Sequence, residues 1–158
     1  MKPFDQVVAE HGVIVWQVCR AVLDPADADD AWSETFLAAM RGYPNLRPDS
    51  NVRAWLVTIA HSKAIDQTRR IDRAPRPMER AAETPSTDGN PEPVDEDLRA
   101  ALEKLPPKQR QAVIYHHIAG LSYAEVGALI DSSEAAARRS SADGIANLRR
   151  SYVRGTKR

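Results

Sequence analysis

The sequence predicts an all-α protein of two small helical domains joined by a flexible, Pro-rich linker. Three observations predict it. Apolar residues recur at spacings of three and four over most of the chain, the period of a helix with one buried side. Pro75, Pro77, Pro85, Pro91 and Pro93 interrupt a polar, acidic stretch that cannot build a core. Helix punctuation recurs on both sides of that stretch, most clearly where Ser122 and Glu125 have the spacing of a capping box. The domains read from this are residues 1–73 and 96–158, with 74–95 as linker.

In order, Phe4, Val7, Val8, Ile14, Val15, Val18, Cys19, Val22 and Leu23 give an amphipathic helix from Phe4 to Leu23, with Gly12 as its weak point. Asp24 can cap a second helix and Pro25 suits its first position. Ala28, Ala31, Trp32, Thr35, Phe36, Ala39 and Met40 supply its packing. Its early turns carry Asp27, Asp29, Asp30 and Glu34, which complement the positive helix end and could also dock a basic partner. Gly42–Asp49 is a loop of turn formers, after which Ser50 or Asn51 caps a third helix. Val52, Trp55, Leu56, Ile59 and Ala60 form its apolar stripe, and Arg53, His61, Lys63, Arg69 and Arg70 lie on other sides.

Beyond the linker, Val94–Leu105 reads as a helix through Leu98, Ala101, Leu102 and Leu105. Pro106-Pro107 ends it and opens the next, which runs to a stop at Gly120. Then come two helices joined by a tight turn. Tyr123, Val126, Leu129 and Ile130 give the first its buried side, and Asp131 tolerates the turn. Ser132 or Ser133 caps the second, which carries Arg138 and Arg139 and continues to Arg149 and Arg150. Gly127 sits where two crossing helices would need a small side chain. This is the helix-turn-helix pattern, whose second helix enters the DNA major groove.

Over 158 residues the formal net charge is zero, yet the charges are segregated. Residues 1–50 hold four Lys/Arg against eight Asp/Glu; residues 53–80 hold seven against three. Residues 81–103 hold one against seven, and residues 134–158 seven against two. Two basic blocks alternating with acidic ones suggest DNA contact at two separate places. The only cysteine, Cys19, excludes an intrachain disulfide and lies in an apolar run. Adjacent His116 and His117 point in different directions from a helix and make a poor metal pair; no cofactor is expected. Neither a signal peptide nor a membrane-spanning run is legible, so a cytoplasmic location is expected.

Residues 24–41, DPADADDAWSETFLAAMR, resemble the polymerase-binding part of the second region of bacterial RNA polymerase sigma factors of the extracytoplasmic-function (ECF) group. Residues 51–70, NVRAWLVTIAHSKAIDQTRR, resemble its DNA-melting part. Residues 105–130, LPPKQRQAVIYHHIAGLSYAEVGALI, are similar to the opening of the fourth region. The resemblance implies that Asp27, Asp29, Asp30, Ser33 and Glu34 face the clamp of the largest subunit of core RNA polymerase, and that the fourth region meets the flap of the second-largest. It assigns Asn45, Arg47, Asn51, Arg53, Ser62, Lys63, Arg69 and Arg70 to the unpaired minus-ten element. Ser133, Glu134, Ala136, Arg138 and Arg139 fall to the duplex minus-thirty-five element.

The family usually has Gln at Ser33, often Asn at Ser62, and Gly at Asp131. It has a branched apolar residue at Ala137, Leu at Ser141, and basic residues at Ser140 and Asp143. These exchanges imply a thinner buried face and fewer phosphate contacts on the last helix. The expected function is an alternative sigma factor that binds core polymerase and directs promoter recognition, melting and initiation, making and breaking no bond itself. Its partners would be core polymerase, promoter DNA and an anti-sigma factor, with no membrane. The alternatives are a stand-alone helix-turn-helix regulator, which should find an operator unaided, and a polymerase-binding scaffold that reads no promoter.

Overall fold

The computed structural model describes residues 2–73 and 96–156, and the chain divides into two units, Met1–Glu92 and Pro93–Arg158. The linker expected at 74–95 lies outside the described residues.

The first unit holds α1 (Phe4–Arg20), α2 (Pro25–Gly42), a 3-10 turn (Tyr43–Asn45) and α3 (Val52–Arg73). The first helix stops at Arg20, three residues short of the predicted end. The Arg20 guanidinium there donates to the Leu23 carbonyl at 2.9 Å, closing the turn into α2. Asp24 caps α2 as read, its Oδ1 accepting from the Asp27 N–H at 3.0 Å, with Pro25 in the first turn. Asn51, not Ser50, caps α3: its Oδ1 accepts from the Ala54 N–H at 3.1 Å.

Each helix of this unit packs on the other two. That explains why five successive residues of α1, Val15 to Cys19, are all buried, Trp16 and Gln17 included. Gly12 is no weak point. It is buried, its carbonyl accepts from Trp32 Nε1 at 2.9 Å, and that bond pins α2 to α1. On α3 the most deeply buried residues are Leu56, Val57, Ala60 and Ala64, while Trp55 and Ile59 lie at the margin. Met40, expected in the packing, is instead 51% exposed.

The second unit holds α4 (Glu96–Glu103), α5 (Pro107–Val113) continuing into a π turn (Ile114–Ile118), α6 (Tyr123–Leu129) and α7 (Glu134–Thr156). Of the helix predicted over 94–105, Val94 and Asp95 lie outside the described residues. Pro107 opens α5 as expected. The π turn is unpredicted: the Ala119 N–H reaches back five residues to the Ile114 carbonyl at 2.9 Å. Gly120, at φ 78°, then supplies the left-handed residue that ends it.

Both halves of the Ser122–Glu125 capping box form, at 2.9 and 3.1 Å. Asp131 carries the turn at φ 55°, a conformation that Asp tolerates better than most residues. Ser133 caps α7, its Oγ accepting from the Ala136 N–H at 3.0 Å. A Cβ on Gly127 would lie 2.7 Å from the Ser132 carbonyl oxygen, so the tight turn itself demands the glycine. Gly144 has a similar task unread in the sequence: a Cβ there would lie 2.6 Å from Val113 Cγ2, where α7 crosses α5.

Candidate functional site

The acidic candidates lie on α2. Asp30 and Ser33 are exposed, and Asp29 and Glu34 half-buried. Asp27 departs from the prediction: at 2% exposure in the first turn, its carboxylate is withdrawn from any docking partner. Sequence reasoning missed that Leu37 and Met40, each 51% exposed, follow Asp30 and Ser33 at steps of three and four. The exposed ridge is therefore acidic at one end and apolar at the other. The signal was present in the spacing, but the packing period hid it.

The second group does not form one patch. Arg53, at the start of α3, lines a cleft of about 460 Å³ with Lys2, His11, Tyr43, Pro48 and Asn51. Arg69 and Arg70 lie sixteen and seventeen residues on, about 24 Å along the helix axis. There they line a groove with Glu34, Asp66 and Arg73. Ser62 is exposed and Lys63 half-buried between these ends.

Within the loop, Asn45 is exposed, and Arg47 Nε pairs with Asp49 at 3.7 Å with both side chains largely in solvent. Asn51 Oδ1 is committed to its cap, which leaves its amide hydrogens for a ligand. Burial holds the His11 imidazole below the ordinary histidine pKa against the opposing pull of Glu10, which keeps a neutral ring in the cleft. Arg70 donates to Glu34 at 2.9 Å, so a candidate for one interface is paired with a candidate for another.

The third group gathers at the start of α7. Glu134, Ala136, Arg138 and Arg139 are exposed, and Ser133 is exposed but occupied as the cap. Ala137, Ser141, Gly144 and Leu148 face inward. Ser141 is fully buried and hydrogen-bonded, accepting from the Tyr123 hydroxyl at 3.3 Å and meeting His117 Nε2 at 3.1 Å. His116 turns the other way, its Nδ1 2.7 Å from the Leu121 carbonyl oxygen. The two histidines thus serve different partners, and among the described residues no cluster of potential ligands could hold a metal ion.

One helical unit with an acidic-to-apolar ridge and a second unit built on a helix-turn-helix define the class: a two-part, all-helical protein with a helix-turn-helix module. The sequence family described as Sigma-70 region 2 matches residues 7–74, and the one described as Sigma-70, region 4 matches residues 95–140. The ECF RNA polymerase sigma factor SigE of Mycolicibacterium smegmatis is 33% identical over 82% of this chain, which spans 54% of that relative. The RNA polymerase sigma factor CarQ of Myxococcus xanthus is 31% identical over 92% of this chain, which spans 87% of that relative. The sigma factor RpoE of Bartonella quintana, solved in complex with the anti-sigma factor NepR, shares the fold. Its TM-score is 0.71 at 21% identity, and all of both chains is covered.

The chain belongs to the ECF sigma factors of RNA polymerase. Its function is that of an alternative sigma factor, directing promoter recognition and transcription initiation. No helix among the described residues is long and apolar enough to cross a membrane.

Proposed function

We propose that this sigma factor grips core polymerase with the exposed ridge of α2 and settles two separate basic surfaces onto one promoter. On α2, Asp29, Asp30, Ser33 and Glu34 meet cations of the clamp, and Leu37 and Met40 add apolar contact beside them. Asn51 and Arg53 line the cleft that takes the unpaired minus-ten strand, and the exposed Asn45 and Arg47 of the preceding segment add contacts to it. Ser62, Lys63, Arg69 and Arg70 track its backbone along α3. Unstacking a base costs a few kcal/mol, which capture in such a cleft offsets.

The start of α7, with Ser133, Glu134, Ala136, Arg138 and Arg139, lies in the major groove of the minus-thirty-five element, and the second unit rests on the polymerase flap. The protein acts in the cytoplasm as an initiation factor and catalyses no reaction. An anti-sigma factor that covers the α2 ridge is its second protein partner. The observation that supports this reading most is the order of the two sigma regions on one chain, together with the ridge left open on α2.

Reconstitution with core polymerase on genomic DNA, followed by mapping of transcript starts, tests it. A discrete set of starts that requires this chain is the expected result. Failure to bind core polymerase would overturn the reading. Binding without any specific start would leave a scaffold that reads no promoter.

A further inference from the structure

Tyr123 is held from three directions. The His116 ring stacks on one face, centroids 3.8 Å apart and planes 14° from parallel. The Tyr123 hydroxyl donates to Ser141, fully buried on α7, at 3.3 Å. The Arg138 guanidinium lies over the ring, its Cζ 4.6 Å from the centroid. With His116 against one face, the guanidinium takes the other. The His116 ring is itself fixed by its contact with the Leu121 carbonyl, and Ser141 by His117.

A guanidinium held over an aromatic ring by its charge still has N–H groups directed away from the ring, available to a phosphate or a base. One of them meets Glu134 at 3.3 Å, but both partners are more than half exposed and the pair is readily exchanged. An arginine is long and loses rotamer freedom when it binds; one already held on a fixed ring loses less.

We propose that Tyr123 is a positioning residue for promoter reading: the column His116–Tyr123–Arg138, held by the stacked rings, presents the Arg138 guanidinium ready for DNA. The proposal rests on α7 being the helix that reads the upstream element.

The test uses the full chain. In side-chain NMR of the free protein, the Arg138 Nε–H signal should show a ring-current displacement. It should survive Tyr123→Phe, which keeps the ring, and disappear in Tyr123→Leu. Absence of the displacement in the unsubstituted chain overturns the proposal whatever DNA does. In holoenzyme on a promoter mapped by the transcript starts, Tyr123→Leu should weaken closed-complex binding roughly three- to tenfold.

Tyr123→Phe should stay within about twofold of the unsubstituted chain, because the face it keeps is the one that carries the cation. Combining Tyr123→Leu with Arg138→Ala should be no worse than Arg138→Ala alone. Additive losses, or a harmless Arg138→Ala in an active holoenzyme, would overturn it. If Tyr123→Leu fails to fold, the Tyr123→Phe holoenzyme and the NMR signal decide. An unsubstituted holoenzyme with no specific starts would sink the sigma reading instead, a separate outcome.

Discussion

At the scale of single residues, two positions put sharp numbers on the packing. Cys19 is fully buried in the first unit, and burial pushes its thiol up to about 12 despite a hydrogen bond with Thr35 that pulls the other way. The thiolate is the reactive form, so native Cys19 should resist thiol reagents at pH 8 while the unfolded chain labels at once. Fast labelling of the folded chain would show that the core opens. The sign of the linkage follows from the raised value: the unfolded thiol ionises first, near pH 9. Its contribution to stability is therefore full below that pH and is lost between about pH 9 and 12. Cys19→Ala should lack this part of the alkaline decline in urea titrations.

Gly127 is the second position. A Cβ at 2.7 Å from the Ser132 carbonyl oxygen must push backbone, so Gly127→Ala should destabilise the second unit by about 1–3 kcal/mol. A helix interior would otherwise gain from the exchange. A neutral or positive result in chemical denaturation would mean that the turn is looser than its hydrogen bond from the Ser132 N–H to the Gly127 carbonyl, 2.9 Å long, implies.

At the scale of elements, the termini do the specifying. Ser122 and Glu125 satisfy two N–H groups of the start of α6 reciprocally, and Ser122→Ala should cost about 0.5–2 kcal/mol, read by denaturation at neutral pH. Such signals are legible because they are local, each cap acting within three residues of itself. Asp24 and Ser122 are legible outright, while Asn51 and Ser133 are each one of two neighbouring candidates. What escaped the sequence depends on neighbours distant in the chain. The burial of Trp16 and Gln17 needs α2 and α3 to surround α1. The demand for Gly144 needs α5 to cross α7.

The site shows the same split. The acidic and basic candidates could be chosen by type and place. Burial of Asp27, the Glu34–Arg70 pair and the seat of Ser141 between His117 and Tyr123 arise only when helices meet. One consequence concerns how α2 should be probed. Reversing Glu34 also disturbs Arg70, so Asp30→Arg and Leu37→Asp are the cleaner changes. Each should reduce core-polymerase binding at least tenfold, measured by fluorescence anisotropy, with the helical circular dichroism unchanged, because both side chains are exposed.

At the scale of the whole molecule, a net charge of zero decides how promoter reading can work. A strongly basic protein coats DNA without help. Here the cations are spread along the chain, with small groups at the two ends of α3 and on α7, so each surface offers only a few phosphate contacts. Each such contact releases about one counterion, so either surface alone binds weakly and loses affinity steeply with salt. Polymerase changes the arithmetic without changing the contacts. Once one unit is bound, the second meets its element at an effective concentration on the order of millimolar.

The free chain should therefore bind a labelled promoter duplex with a dissociation constant no tighter than about 10⁻⁶ M at physiological salt. Holoenzyme should bind the same duplex at least about a hundredfold more tightly. Replacing Arg138 and Arg139 together by Ala should flatten the salt dependence of the holoenzyme by up to two counterions, since the two side chains carry two of its cations. Nanomolar binding by the free chain would remove the reason for two dilute surfaces. It would make the polymerase ridge on α2 incidental to DNA selection, as a stand-alone regulator requires.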